Sequence, residues 1–140
     1  MSFLLDTNVV SEWVKPRPDA GLVAWLAEVD EDRVLLSVVT LAELRYGIAR
    51  MAAGPRRARL ETWLSEELPL RFEGRVLPVD DAVAHGWGEL VAHREAAGRP
   101  LGVIDAFIAA TAAVHGLTLV TRNVADFSGS VEAINPWREA

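Results

Sequence analysis

The residues that could do chemistry in this sequence are carboxylates that interrupt or directly follow apolar runs. They are Asp6, Glu43, Asp105 and Asp126. Carboxylates brought to one place repel one another unless protons or a cation neutralise them. Oxygen ligands in a chain without cysteine suit a hard divalent ion, Mg²⁺ or Mn²⁺. Such an ion activates water for attack on a phosphodiester. The sequence therefore indicates a divalent-metal site suited to hydrolysis, with Asp6 and Asp105 as its core ligands.

Each acid also has a purely structural interpretation. Asp6 can cap the helix that follows it, and Asp126 can be an ordinary turn residue. Glu43 completes the sequence Thr40-Leu41-Ala42-Glu43, which has the pattern of a helix capping box. Asp105 is the hardest to explain in this way because its predicted helix is apolar nearly all round. A carboxylate in such surroundings must be paired, coordinated or protonated.

Other candidate sites are weaker. The arginines available for phosphate contacts are Arg45, Arg50 and Arg122, with a further group at Arg56, Arg57 and Arg59. His85, Glu89 and His93 recur every four residues on one predicted helix, which is typical of a solvated face and also of a transition-metal site. There is no phosphate-loop lysine and no Gly-x-Ser-x-Gly elbow.

The elements that must position the four acids alternate between strand and helix. Short apolar runs predict strands over 3–5, 34–36, 76–79, 117–120 and 131–134. Helices are predicted over 7–13, from Asp19 onward, and over 39–52, 56–68, 80–98 and 103–115. This order predicts a single α/β domain over 1–140, with a mainly parallel sheet between two helix layers. The carboxyl ends of its strands would bring the acids to one edge.

Length and composition restrict the classes of protein that the sequence can encode. The chain has 140 residues, 51% of them hydrophobic, and a net charge of −6. These values exclude a disordered chain and argue against binding to DNA or an anionic membrane through overall charge. The longest apolar stretch, 101–120, is interrupted by Asp105 and His115, so no membrane span is expected. Without cysteine or a targeting segment, we expect a cytoplasmic protein.

Four segments, taken in order, resemble the motifs of PIN-domain proteins. They are LDTNVVSE (5–12), SVVTLAELRYG (37–47), DAFIAATA (105–112) and LVTRNVADF (119–127). The final INPW (134–137) is similar to the FitB-like branch of VapC toxins. The resemblance covers essentially the whole chain.

The resemblance implies a three-layer α/β/α PIN fold and an endoribonuclease that depends on Mg²⁺ or Mn²⁺. Asp6, Glu43 and Asp105 match the first three acids of the family. Some members carry the fourth acid at the position of Asn123 and others at that of Asp126. Because Asn123 is neutral, Asp126 is the expected fourth acid and Asn123 a secondary contact. Thr7 or Asn8 would orient Asp6, and Arg45, Arg50 and Arg122 are candidates for RNA contacts.

The resemblance also implies partners. A VapC-like toxin pairs with a cognate VapB- or FitA-like antitoxin, and operon DNA would be bound only through the antitoxin. We further expect a homodimer, because Trp13, Trp25 and Trp63 lie on short or amphipathic helices of a small domain.

Two other functions stay open. The first is a catalytically silent PIN-fold binding module, which the loss of an acid would favour, although none is lost. The second is a phosphotransferase or phosphatase with an aspartyl nucleophile. That chemistry would favour a second Asp two positions after Asp6, where Asn8 stands.

Overall fold

A sheet of five parallel strands forms the centre of the computed structural model, which describes residues 1–138. The strand order is β3-β2-β1-β4-β5. The strands are β1 (Phe3–Leu5), β2 (Val34–Ser37), β3 (Val76–Leu77), β4 (Thr118–Val120) and β5 (Ala133–Ile134). In the central register, Leu4 pairs with Leu35 on one side and with Leu119 on the other. Both ends of the chain therefore supply strands to the middle of the sheet.

Seven α-helices connect the strands. They are α1 (Thr7–Trp13), α2 (Ala20–Glu28), α3 (Val38–Ala49), α4 (Pro55–Thr62), α5 (Leu68–Arg71), α6 (Asp81–Ala96) and α7 (Val103–His115). A π-helical turn (Trp63–Glu67) joins α4 to α5, and 3₁₀ turns lie at Glu31–Arg33 and Val124–Phe127. Asp19 and Asp80 cap α2 and α6 as the sequence predicts, and Gly116 ends α7 in the left-handed conformation.

Alternate residues of the strands pack into two separate cores. Leu5 and Val120 belong to the core covered by α1 to α5, whereas Leu4 and Leu119 belong to the core covered mainly by α7. All four side chains are fully buried. This two-residue alternation in an all-parallel sheet produces the predicted three-layer α/β/α architecture.

Two local predictions are wrong. The capping box is absent, because Ser37 caps α3 by accepting a hydrogen bond from the Val39 amide, so Glu43 lies inside the helix. β3 ends at Leu77 rather than Val79, directly before Pro78, which lacks a backbone donor.

The tryptophans of the expected dimer surface also have contacts within the chain. Trp13, Trp25 and Trp63 are half-buried and pack against the first core. Trp13 contacts Phe72 edge to face, and Trp25 contacts Phe3 in the same way. Part of each side chain stays exposed, and Trp13 and Trp63 also line surface pockets, so the expected dimer surface stays a prediction.

None of the helices within residues 1–138 is both long enough and apolar enough to cross a lipid bilayer.

Candidate functional site

A polar cavity of about 420 Å³ lies at the carboxyl edge of the central strands. Its position beyond β1 and β4 is where parallel sheets bind their ligands. The cavity is lined by Asp6, Thr7, Asn8, Ser11, Glu12, Lys15, Glu43, Asp105, Arg122, Asn123 and Trp137. Three of the four predicted acids therefore lie together, although they are up to 99 residues apart in the sequence.

Asp6 is held at the end of β1 by both backbone and side-chain hydrogen bonds. Its amide donates to the Val120 carbonyl, which extends the pairing of β1 with β4 by one residue. Its Oδ1 accepts from the Thr7 amide at 2.7 Å, and its Oδ2 accepts from the Thr121 hydroxyl at 2.9 Å. Asp6 thus caps α1, as one interpretation predicted, while its carboxylate also lines the cavity.

Asp6 is only 4% exposed, and the pKa of its carboxyl group is raised from 3.8 to about 6, with burial as the largest cause. The charges of Asp105 and Glu43 also raise this pKa, whereas the hydrogen bonds from Thr121 and Thr7 lower it. A carboxyl group with a pKa of about 6 loses its proton readily when a cation binds beside it.

Glu43 reaches the same cavity from α3. Its Oε1 accepts a hydrogen bond from the Thr7 hydroxyl, which also contacts the Thr40 hydroxyl at 3.2 Å. Thr7 was expected to orient Asp6. It does so through its amide, while its hydroxyl orients Glu43.

Asp105 enters from the first turn of α7 and is half-buried. Burial is the largest cause of its raised pKa, followed by the charges of Glu43 and Asp126. Asp6 and Asp105 therefore share the two features predicted for a metal ligand, poor solvation and repulsion by neighbouring carboxylates.

The two candidates for the fourth position lie in different places. Asn123 lines the cavity, and its backbone amide donates to the Thr121 hydroxyl at 3.1 Å. Asp126 lies on the 3₁₀ turn after β4, exposed to solvent and outside the cavity lining. Its charge raises the pKa of Asp105, and the expected role of Asp126 as the fourth acid stays a prediction.

Thr121 is a site residue that the sequence reasoning missed. Its buried hydroxyl donates to Asp6 and accepts from the Asn8 side chain at 3.3 Å, so Asn8 orients Asp6 through Thr121. Only the register of β1 and β4 could have indicated this role. Because Leu5 pairs with Val120, the next residues on the two strands, Asp6 and Thr121, lie side by side.

The basic candidates are divided by position. The Arg122 guanidinium lines the cavity and lies 5.6 Å from the centre of the Trp137 ring. Arg45 and Arg50 are exposed on or just after α3, away from the cavity, and Arg50 stacks on Tyr46. Trp137, which lines the cavity from the chain's end, was noted only as part of a motif.

Within 1–138, no three or more His, Asp or Glu side chains are grouped closely enough to hold an ion by themselves. This excludes His85, Glu89 and His93 as a preformed site; all three are exposed on α6. Mg²⁺ nevertheless fits Asp6 and Asp105, because it retains several waters and needs only one or two carboxylates.

The PIN domain model matches residues 3–128. The chain belongs to the PIN domain family. It is 39% identical to the VapC ribonuclease Y4jK of Sinorhizobium fredii, over 98% of this chain and 99% of the relative. It is 38% identical to the toxin FitB of Neisseria gonorrhoeae, over 97% and 99%.

Solved structures agree with the family assignment. A chain in the crystal structure of FitAcB from Neisseria gonorrhoeae matches with a TM-score of 0.91 and 38% identity, covering 98% of this chain and 99% of that one. The family and the fold predicted from the four motifs are therefore confirmed.

Proposed function

We propose that this PIN domain is an endoribonuclease that requires Mg²⁺ or Mn²⁺, and the toxin of a toxin–antitoxin pair. The observation that carries the proposal is the convergence of Asp6, Glu43 and Asp105 in one cavity, from β1, α3 and α7. A similar relative is named a ribonuclease and another a toxin, which favours RNA as the substrate.

Asp6 and Asp105 would hold the metal, and their raised pKa values reflect charge that a cation neutralises. When bound, the ion lowers the pKa of water and stabilises negative charge on phosphate oxygens. Thr121 and the Thr7 amide fix the two oxygens of Asp6 before any ion arrives. This arrangement reduces the reorganisation that binding would otherwise require.

Glu43 would accept the proton of the attacking water. The Thr7 hydroxyl donates to its Oε1 and holds the carboxylate at the cavity wall. Among residues 1–138, no basic side chain forms an ion pair with Glu43. The Glu43 carboxylate therefore remains able to accept a proton in the cavity. A positioned base of this kind contributes roughly 100-fold or more to a rate.

Arg122 and Asn123 would position the RNA. The guanidinium of Arg122 lies against Trp137 on the cavity wall, where it can contact a phosphate, and Asn123 presents an uncharged amide beside it. Arg45 and Arg50 do not line the cavity, and we assign them no contact with the scissile phosphate.

The antitoxin would bind in a groove of about 1130 Å³ that adjoins the cavity. Ser11, Lys15 and Glu43 line both spaces. The apolar lining comes from Val14, Leu44, Ile48, Met51, Leu60 and Trp63. An apolar peptide segment in this groove would reach Glu43, where an Arg or Lys of the antitoxin could bind the acids.

The groove itself carries four basic side chains against two acidic ones, so the part of the antitoxin away from the cavity would include acidic residues. The basic side chains are Lys15, Arg17, Arg56 and Arg59, and the acidic ones are Glu43 and Glu67. The groove therefore differs in charge from the molecule as a whole, whose net charge is −6.

Expression of the chain in a bacterial host tests the proposal. We expect growth arrest with RNA fragments for the wild type and for Glu89→Gln, which removes an exposed charge on α6. Asp105→Asn should abolish both effects. Growth arrest that persists in Asp105→Asn without RNA fragments would favour the catalytically silent module.

A further inference from the structure

Arg94 is a buried charged residue that the proposed mechanism does not use. It lies in the last turn of α6 and is 7% exposed. Its guanidinium donates to the Arg99 carbonyl at 2.7 Å, the Asp126 carbonyl at 2.9 Å, the Ser130 hydroxyl at 2.9 Å and the Ser128 carbonyl at 3.4 Å.

All four acceptors of Arg94 are neutral. Within residues 1–138, its guanidinium forms no ion pair with a carboxylate. A buried charge costs stability unless it is fully hydrogen-bonded. The four hydrogen bonds of the Arg94 guanidinium offset this cost. Arg94 ties two segments together: the turn before α7 and the loop after β4.

The first of these segments leads into α7, which carries Asp105, and the second carries Asp126. α7 carries Asp105 and is already held on α6 without Arg94, because the Trp87 indole donates to the Val103 carbonyl at 3.1 Å and stacks on Phe107. The loop after β4 carries Asp126, whose backbone is held to α6 by Arg94. Arg94 therefore fixes the position of the loop after β4 relative to α7.

We propose that Arg94 is a positioning residue of the nuclease site, which fixes the loop that carries Asp126 relative to Asp105 by binding the Asp126 carbonyl. The inference rests on the proposed function. Arg94 itself does not line the cavity. Its influence on RNA cleavage would pass entirely through the loop, so its replacement should lower kcat and leave KM nearly unchanged.

Lysine is the informative replacement, because Arg94→Lys keeps the charge but cannot reproduce a planar fork that reaches four acceptors. The matched control is Arg75→Lys at the opposite edge of the sheet. The Arg75 guanidinium likewise binds carbonyls, those of Glu31, Val34 and Arg71. Both variants remove a carbonyl-binding guanidinium, but only one is connected to Asp126.

The experiment measures RNA cleavage and Mn²⁺ affinity for Arg94→Lys, Asp126→Asn, the double variant and Arg75→Lys. We expect Arg94→Lys to lower kcat about tenfold with KM changed less than about twofold. Arg75→Lys should change neither by more than about twofold. In the Asp126→Asn background, Arg94→Lys should lower kcat by less than about a further twofold. Equal effects of the two lysine variants, or a full tenfold loss in the Asp126→Asn background, would overturn the inference.

Two further outcomes are decisive. If Arg94→Lys does not fold, Ser130→Ala removes one of its bonds alone, and an unchanged kcat in that variant contradicts the inference. If the wild type cleaves no RNA, the proposed function fails while the inference is judged by Mn²⁺ affinity. Weakening of about tenfold in Arg94→Lys but not in Arg75→Lys then supports it, and equal or absent binding overturns it.

Discussion

At the scale of single residues, the buried carboxylate of Asp6 governs the electrostatics of the site. Its pKa rises from 3.8 to about 6 on folding, so the folded chain binds this proton more tightly than the unfolded chain does. The stability from this group is fully present below pH 3.8 and is lost as the pH rises through about 6. The shift corresponds to about 3 kcal/mol.

Asp6→Asn should therefore raise the melting temperature of the metal-free protein near neutral pH by several degrees. The amide has nearly the shape of the carboxyl group and carries no charge to bury. The difference between variant and wild type should shrink as the pH falls below about 5, because wild-type Asp6 then becomes protonated. Thermal unfolding across this pH range, with chelator present, is the measurement. A variant less stable than the wild type at every pH would contradict the assigned pKa.

Addition of Mn²⁺ should reverse the order of stability. Binding to Asp6 and Asp105 stabilises the folded wild type by mass action, and its melting temperature should rise with Mn²⁺ concentration. Asp6→Asn and Asp105→Asn should lose most of that rise, whereas Glu89→Gln should retain it. The same rise in all four proteins would show that the ion binds elsewhere.

At the scale of elements, the end of the described chain supports one wall of the cavity through α2. A Cβ on Gly21 would lie 2.5 Å from both the Arg138 amide nitrogen and the Pro136 oxygen, so the two backbones need a glycine there. Asp19 also accepts a hydrogen bond from the Arg138 amide at 2.9 Å. Trp137, between these contacts, is thereby held in the cavity wall beneath Arg122.

Gly21→Ala should displace this segment, lower the melting temperature and raise KM for RNA several-fold through the loss of the Arg122 contact. The control is Gly88→Ala in α6, where a Cβ meets nothing within 4 Å. That substitution should stabilise the protein by roughly 0.5–1 kcal/mol through helix propensity. Thermal unfolding and steady-state RNA cleavage measure both effects. An unchanged KM in a folded Gly21→Ala protein would separate the segment from substrate binding.

The sequence predicted elements whose signals are local. The alternation of apolar runs and capped helices was enough to place the strands at Phe3–Leu5 and Thr118–Val120 and the helices α6 and α7 to within two residues. The cap of α3 was predicted at Thr40, whereas Ser37 caps the helix, because both are hydroxyl residues near its start. Only tertiary packing directs Thr40 toward Thr7. The π-helical turn at Trp63–Glu67 has no sequence signature of comparable strength.

Of the residues in the site, only the acids could be predicted from the sequence. Asp6, Glu43 and Asp105 follow from the polarity of single positions, but Thr121 and Trp137 enter through contacts between segments more than 100 residues apart. Asp126 shows the same limit: its sequence position next to β4 does not reveal that its carboxylate lies outside the cavity.

At the scale of the whole molecule, the protein should form a homodimer, and its exposed apolar side chains extend the candidate interface beyond the tryptophans. The strongly exposed apolar side chains include Tyr46 at 63% and Val103 at 61%, on α3 and α7. Light scattering at micromolar concentration should give twice the 15.3 kDa of one chain. Tyr46→Glu and Val103→Glu should each favour the monomer, and a wild-type species of 15.3 kDa would contradict the prediction.

The groove and the cavity should be separable by mutation. Met51→Glu places a charge in the apolar groove, so it should weaken antitoxin binding at least about tenfold and leave RNA cleavage unchanged. Leu70→Glu, at a side chain already 75% exposed outside the groove, is the control. Titration calorimetry with the protein encoded beside this chain provides the affinities. Equal binding by wild type and Met51→Glu would place the antitoxin on another surface.

The central claim is that Asp6, Glu43 and Asp105 form a metal-dependent RNA-cleaving site. Its most direct test is the single-turnover rate at which the purified protein cleaves RNA as a function of Mn²⁺ concentration. We expect no cleavage with chelator, saturation with Mn²⁺, and loss of about 100-fold or more in Glu43→Gln and Asp105→Asn but not in Glu89→Gln. Cleavage that continues in chelator, or that survives in both cavity variants, would contradict the claim.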